Sequence, residues 1–253
     1  MKAFRFAVIW LTLFGFVMTA PFCVDTALAA KKITITVATD ATWPPMEMVN
    51  ESKDIVGYDI DFFRAVAEEG GFSVVFKNVA WDGIFAGIAA GKYDAIISSV
   101  TITDERKKTM DFSDPYINAG QILVVPKGVQ VSTLAELKGQ KVGAQIGTTG
   151  AFEIKKVEGV ELKGYDEIGL AFEDMAAGRI AGVVCDTPVA ADFALQKKEY
   201  AEKFKIVGQP FTDEYYGIVV QKGNQKLLDM INKGIKSVKA KGIDKKIEAK
   251  WLR

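Results

Sequence analysis

Apolar positions along the chain change period repeatedly. Short β-branched runs alternate with stretches in which apolar residues recur every three or four positions. The pattern predicts strands at 33–38, 72–77 and 95–97, with helices at 58–69 and 81–90 between them. In the first of these helices Ile60, Phe63, Val66 and Ala67 share one face, and Gly70-Gly71 ends it. A second series begins near residue 141, with strands at 141–145, 161–164 and 182–184 and helices at 149–156 and 168–177. Helices at 224–240 and 245–250 close the chain. Strand and helix in alternation imply an α/β fold with largely parallel sheets.

The two series are alike. Phe85, Ala89-Ala90-Gly91 and Asp94-Ala95-Ile96-Ile97 have counterparts 87 residues later in Phe172, Ala176-Ala177-Gly178 and Ala181-Gly182-Val183-Val184. In each, a helix ends at a glycine suited to the left-handed position and a buried strand follows. The match is short, and two ordinary βαβ units would also give it. Each strand then runs into polar residues, Ser98-Ser99 in one series and Asp186-Thr187 in the other. Polar side chains at the carboxyl ends of apolar strands mark a ligand crevice in α/β sheets. Two such edges facing each other would form a cleft between two lobes.

The first 29 residues read differently. Lys2 and Arg5 precede an apolar run over 6–18, and Ala27-Leu28-Ala29 places small residues where a signal peptidase reads them. This predicts a secretory signal peptide, 1–29, cleaved after Ala29. Cys23 follows Phe22, where a lipoprotein signal needs a small residue, so no lipid anchor is expected. Cys185 then remains as the one cysteine and is expected to be a small core residue. A soluble periplasmic protein follows.

Composition removes several functions. The 253 residues hold 32 Lys+Arg and 32 Asp+Glu, so no basic excess points to nucleic acid. Histidine is absent, which excludes His general bases, Ser-His-Asp and Cys-His catalysis, and imidazole zinc sites. No metal and no cofactor is expected.

The candidate chemistry clusters at strand ends. Thr103 suits a helix N-cap and places Arg106 on the first turn beside the cleft, where a guanidinium can grip a carboxylate through two hydrogen bonds. The same spacing suits a surface arginine paired with Asp104 or Glu105. Gly147-Thr148-Thr149-Gly150 opens a helix and could offer backbone N–H groups to an anion, or be an ordinary βα turn. Asp186 either caps the helix after Pro188 or seeks a cation. Trp43 and Trp81 follow predicted strands as possible cleft walls, Asp40 ends the first strand, and Glu47 is either a site acid or a structural acceptor. Taken together, Arg106 with the 147–150 amides fits a carboxylate, and Asp186 with the Ser98 carbonyl and Thr101 hydroxyl fits an ammonium. Those are the two ends of an α-amino acid.

Five segments carry a resemblance: Val56-Gly57-Tyr58-Asp59-Ile60-Asp61, Asp94-Ala95-Ile96-Ile97-Ser98-Ser99, Thr101-Ile102-Thr103-Asp104-Glu105-Arg106, Asp111-Phe112-Ser113-Asp114-Pro115-Tyr116 and Cys185-Asp186-Thr187-Pro188. In this order they resemble the polar amino-acid-binding proteins of bacterial ABC importers, glutamine and lysine/arginine/ornithine binders among them. The resemblance implies a type II periplasmic binding protein fold: two α/β lobes joined by two hinge crossings, lobe one at 30–118 and 217–253, lobe two at 119–216. It implies a non-enzymatic, monomeric receptor for arginine, lysine or glutamine that serves a membrane ABC permease. By position it assigns the α-carboxylate to Arg106 and the Thr149 amide, and the ammonium to Asp186. Ser98, Ser99 and Thr101 would meet the head group, Trp43 and Trp81 would wall the side chain, and Asp40 would contact its far end. Where some glutamine binders carry a lysine, this chain has Gln145 or Ile146. The alternative on the same fold is a dehydratase of the prephenate or arogenate type, with Glu47 or Glu173 as its acid.

Overall fold

In the computed structural model, which describes residues 32–252, two five-stranded sheets form the centres of two lobes. The expected signal peptide and Cys23 lie outside the described residues. The first sheet runs Ser73–Asn78, Thr34–Thr39, Ala95–Ile96, Val219–Gln221, Met110–Phe112. The second runs Glu161–Tyr165, Lys141–Gln145, Gly182–Asp186, Gln121–Pro126, Phe204–Val207. Each has three parallel strands followed by antiparallel pairings. The expectation of largely parallel sheets therefore holds for the βαβ half of each. The strands that run against the parallel set, Gln121–Pro126 and Val219–Gln221, come from chain that has just crossed between lobes. They enter without a helix, so no parallel crossover is formed.

Both crossings pass through one small ribbon, Ile117–Asn118 paired antiparallel with Tyr215–Tyr216. Gly120 and Gly217 follow these strands at close approaches. A Cβ on Gly120 would lie 2.1 Å from the Thr212 carbonyl oxygen. The segment Asp111-Phe112-Ser113-Asp114-Pro115-Tyr116 fastens the ribbon to lobe one: the Ile218 N–H donates to Ser113 Oγ (2.9 Å), and the Tyr116 hydroxyl donates to Asp59 (2.8 Å).

The internal likeness extends to backbone geometry. Gly91 and Gly178 take φ of 68° and 72°, and their N–H groups close onto Ile88 and Met175 at 3.0 Å in both cases. Each following strand lies parallel beside the first strand of its series.

The helix Tyr58–Gly70 buries Ile60, Phe63, Val66 and Ala67 as its period requires, and Gly71 ends it at φ 81°. The other paired helices are Thr149–Lys156 and Ile168–Ala176. The helix expected at 81–90 is Ile84–Ala89, because Gly83 at φ 92° starts it late and leaves Trp81 in the preceding loop. Trp43 lies in a two-residue strand, Thr42–Trp43, not a loop; it pairs with Glu47–Val49, so Trp43 and Glu47 face each other. The closing helices are Gln225–Ala240 and Ile243–Trp251. Cys185 is buried in the core, as expected.

Candidate functional site

The carboxyl ends of the parallel strands in both sheets face one cavity. Lobe one contributes Asp40, Trp43, Glu47, Trp81, Ser98, Ser99, Thr101 and Arg106; lobe two contributes Gln145, Thr148, Thr149 and Asp186. Every residue picked out from the sequence as a site candidate, Asp40, Trp43, Trp81, Ser98, Ser99, Thr101, Arg106, Thr149 and Asp186, lines this one space. Glu47, left open between two roles, lines it too. Glu173 does not; it is exposed on the helix Ile168–Ala176.

Arg106 is placed by its cap. Thr103 Oγ1 accepts the Arg106 N–H (3.2 Å) and starts the short helix Asp104–Lys107. The neighbouring acids are taken by lysines, Asp104 by Lys107 and Glu105 by Lys108, so the surface-pair alternative for Arg106 is not realised. Its guanidinium turns inward instead. It lies over the rings of Trp81 (5.5 Å) and Phe85 (5.1 Å), and donates to the carbonyl oxygens of Thr101 (2.8 Å) and, across the cleft, Gly147 (3.3 Å). Among the described residues no carboxylate pairs with it. Burial draws its pKa down to about 10, although Asp186 and Glu214 oppose the shift.

Asp186 ends the strand Gly182–Asp186 and occupies an N-cap position, yet its side chain caps nothing. Oδ1 accepts from Gln121 Nε2 (2.9 Å). No lysine or arginine pairs with it among the described residues, and burial pushes its pKa up to about 7, with Glu214 adding to the shift. The opposite helix start is capped by Thr148, which accepts the Ala151 N–H at 3.3 Å.

The floor of the cavity explains two of the recurring motifs. Ser99 has φ 49°, a left-handed conformation that costs a non-glycine residue about 1–2 kcal/mol. Its N–H donates to Asp59 Oδ2 (2.7 Å), which holds the turn. Gly57, two residues before Asp59, passes so close that a Cβ would sit 2.2 Å from the Met46 carbonyl oxygen. The glycine thus permits the approach, and the aspartate supports the turn.

Asp40, Glu47 and Asp59 form an acidic end. Ser98 Oγ donates to Glu47 Oε1 (3.0 Å) and accepts the Asp40 N–H (2.9 Å), so this hydroxyl is committed within the wall. Burial, then the charge of Asp59, raises Glu47 well above the usual carboxylate range; burial raises Asp59 to about 6 and also raises Asp40. Gln145 Nε2 reaches across the cleft to Asp40 Oδ2 at 2.9 Å.

Sequence reasoning did not find Gln121 or Glu214. Gln121 Nε2 donates to Asp186 and to Thr149 Oγ1 (3.0 Å). A polar residue opening the apolar run Gln121–Pro126 was its only signal, since a buried amide needs partners. Nothing local distinguishes Glu214; the folding of the second crossing brings it beneath the cavity.

The sequence profile of the bacterial extracellular solute-binding proteins, family 3, matches residues 35–253. The chain belongs to this family. A probable histidine-binding protein of Neisseria gonorrhoeae is 36% identical over 85% of this chain and 82% of its own length. The ABC transporter arginine-binding protein 1 of Escherichia coli K12 is 33% identical over 89% of this chain and 93% of its own. Among solved structures, an ancestral arginine-binding protein bound to arginine superimposes with a TM-score of 0.82 at 43% identity, covering 87% of this chain and 98% of that one. An ancestral arginine-binding protein bound to glutamine gives 0.82 at 44% identity, covering 87% of this chain and 97% of that one. This family 3 chain therefore has the periplasmic binding protein fold expected of it. No helix among its described residues is long and apolar enough to cross a membrane.

Proposed function

We propose that the protein is an extracytoplasmic receptor, not an enzyme, that binds a polar L-α-amino acid between its lobes and delivers it to an ABC permease. The observation that carries this is Arg106 and Asp186 lining one cavity while, among the described residues, neither is joined in an ion pair. A desolvated charge needs a counter-charge. A zwitterion supplies both: its carboxylate to Arg106 and the Thr149 amide, its ammonium to Asp186, with Ser99, Thr101 and the Ser98 carbonyl around the head group. Trp43 and Trp81 wall the side chain.

The acidic end favours a cationic side chain. Asp40 faces the cavity and, among the described residues, no lysine lines it. Arginine and lysine rank first and glutamine next, because the Gln145 amide can pair with either kind of ligand. Relatives named for arginine, glutamine and histidine support this class. Lobe one (30–118, 217–253) and lobe two (119–216) would move about the crossings at 117–118 and 215–216. The ligand shifts that equilibrium because it touches both lobes only when they close. Residues 1–29 act as the signal peptide, and the receptor works as a monomer.

The test is a thermal-shift screen of the twenty amino acids, with a turnover assay on prephenate and arogenate beside it. A ligand at 100 times its dissociation constant adds about 2.7 kcal/mol. That raises Tm by roughly 5–10 °C in a chain of this size. No shift with any amino acid defeats the receptor, and sustained dehydration would establish the enzyme in its place.

A further inference from the structure

Glu214 immediately precedes the second crossing strand, Tyr215–Tyr216, and is buried. Its Oε2 accepts the hydroxyl of Thr101 from lobe one (2.9 Å) and that of Thr149 from lobe two (2.7 Å). Gln121 Nε2, already bonded to Asp186, approaches the same oxygen at 3.4 Å. No lysine or arginine pairs with Glu214 among the described residues. One buried carboxylate is thus satisfied by hydroxyls from opposite sides of the cleft.

A hydroxyl has one proton and two lone pairs. Both threonines give that proton to Glu214. Thr149 Oγ1 also accepts from Gln121, so it is nearly saturated. Thr101 lines the cavity, and its Oγ1, having given its proton to Glu214, is left with lone pairs. Toward a ligand it can only accept. We propose that Glu214 is a positioning residue: by taking the hydroxyl protons of Thr101 and Thr149 it fixes Thr101 as an acceptor for the ligand's α-ammonium. The proposal rests on the amino-acid reading given above. It also explains why this acid lies behind the cavity wall and not in it. A carboxylate in contact with the ligand would crowd Asp186; one bond further back, it sets the polarity of the threonine without claiming the ammonium. The shared oxygen exists only while the two sides of the cleft are together, so the polarity is set in the closed form.

Calorimetry with L-arginine and L-glutamine, each alongside its des-amino analogue (5-guanidinopentanoate, 4-carbamoylbutanoate), separates positioning from mere support. The analogues keep the carboxylate and side chain but lack the ammonium. A glutamine at 214 can donate to the threonines and reverse their polarity. Glu214→Gln should weaken the amino acids by about tenfold or more, the scale of a hydrogen bond to a charged group, and change the analogues by less than about threefold. Thr101→Val should show the same selectivity, and the double variant should lose little more than either single one. Equal losses for amino acids and analogues, or no loss, would overturn the proposal. If Glu214→Gln fails to fold, Thr101→Val alone decides: equal losses for both ligand classes overturn it. Wild type that binds no amino acid would sink the receptor reading itself, a result visible without any variant.

Discussion

Gln145 and Asp40 join the two lobes directly: the amide of one donates to the carboxylate of the other at 2.9 Å, inside the cavity. A second contact crosses the cleft two residues further along the same lobe-two segment, from the Arg106 guanidinium to the Gly147 carbonyl oxygen (3.3 Å). Asp40 would meet the far end of a side chain. Asp40→Asn should therefore weaken arginine and lysine by about 10- to 150-fold, the range for hydrogen bonds to charged partners, and alter glutamine by less than about threefold. Competitive titration of the three amino acids reads the difference; parallel losses would remove Asp40 from the side-chain subsite.

In the proposed binding mode Arg106 carries the carboxylate end. Arg106→Ala should cost about 2–5 kcal/mol in ligand affinity, as truncation of a buried ion pair does. Arg106→Lys should recover only part, because an ammonium cannot make two parallel bonds or stack as a planar group over the rings of Trp81 and Phe85. Calorimetry on a variant of unchanged Tm checks it, and wild-type affinity in the alanine variant would dismiss the assignment.

Asp186 predicts a pH dependence. Its pKa of about 7 in the folded chain exceeds the ordinary 3.8, so the folded state holds this proton more tightly than the unfolded state. Its contribution to stability is fully present below about pH 4 and is lost as pH rises through 7. Asp59, at about 6, acts in the same direction. Binding runs the other way, since an ammonium needs the ionised carboxylate. Amino-acid affinity should rise with pH and level off above about 7, with proton release on binding at pH 6. Titrations in buffers of different ionisation enthalpy measure that proton. Asp186→Asn should flatten the profile, and an unchanged slope in that variant would place the titration elsewhere.

The floor turn yields a stability prediction. Gly57→Ala drives a Cβ to 2.2 Å from the Met46 carbonyl oxygen at φ 138°, so it should cost at least about 2 kcal/mol. Ser99→Gly relieves the left-handed strain and should stay within about 1 kcal/mol of wild type. Urea denaturation compares them; a Gly57→Ala protein as stable as wild type would show that the contact relaxes freely.

The alternating periods alone determined the βαβ halves of both lobes. The sequence Thr103 to Arg106 was enough to place a capped arginine, and Gly91 and Gly178 were legible as left-handed ends. These are local effects, decided by neighbours within a turn or two of backbone. The five-segment resemblance added the order of the site residues, which spacing by itself left open. The antiparallel strands Gln121–Pro126 and Val219–Gln221 and the convergence of Glu214 with Thr101 and Thr149 were decided only by tertiary structure. The reason is that partners far apart in the chain, 113 positions for Glu214 and Thr101, meet only when the strands pair and the cleft closes, and a buried acid differs from a solvated one only once its surroundings exist.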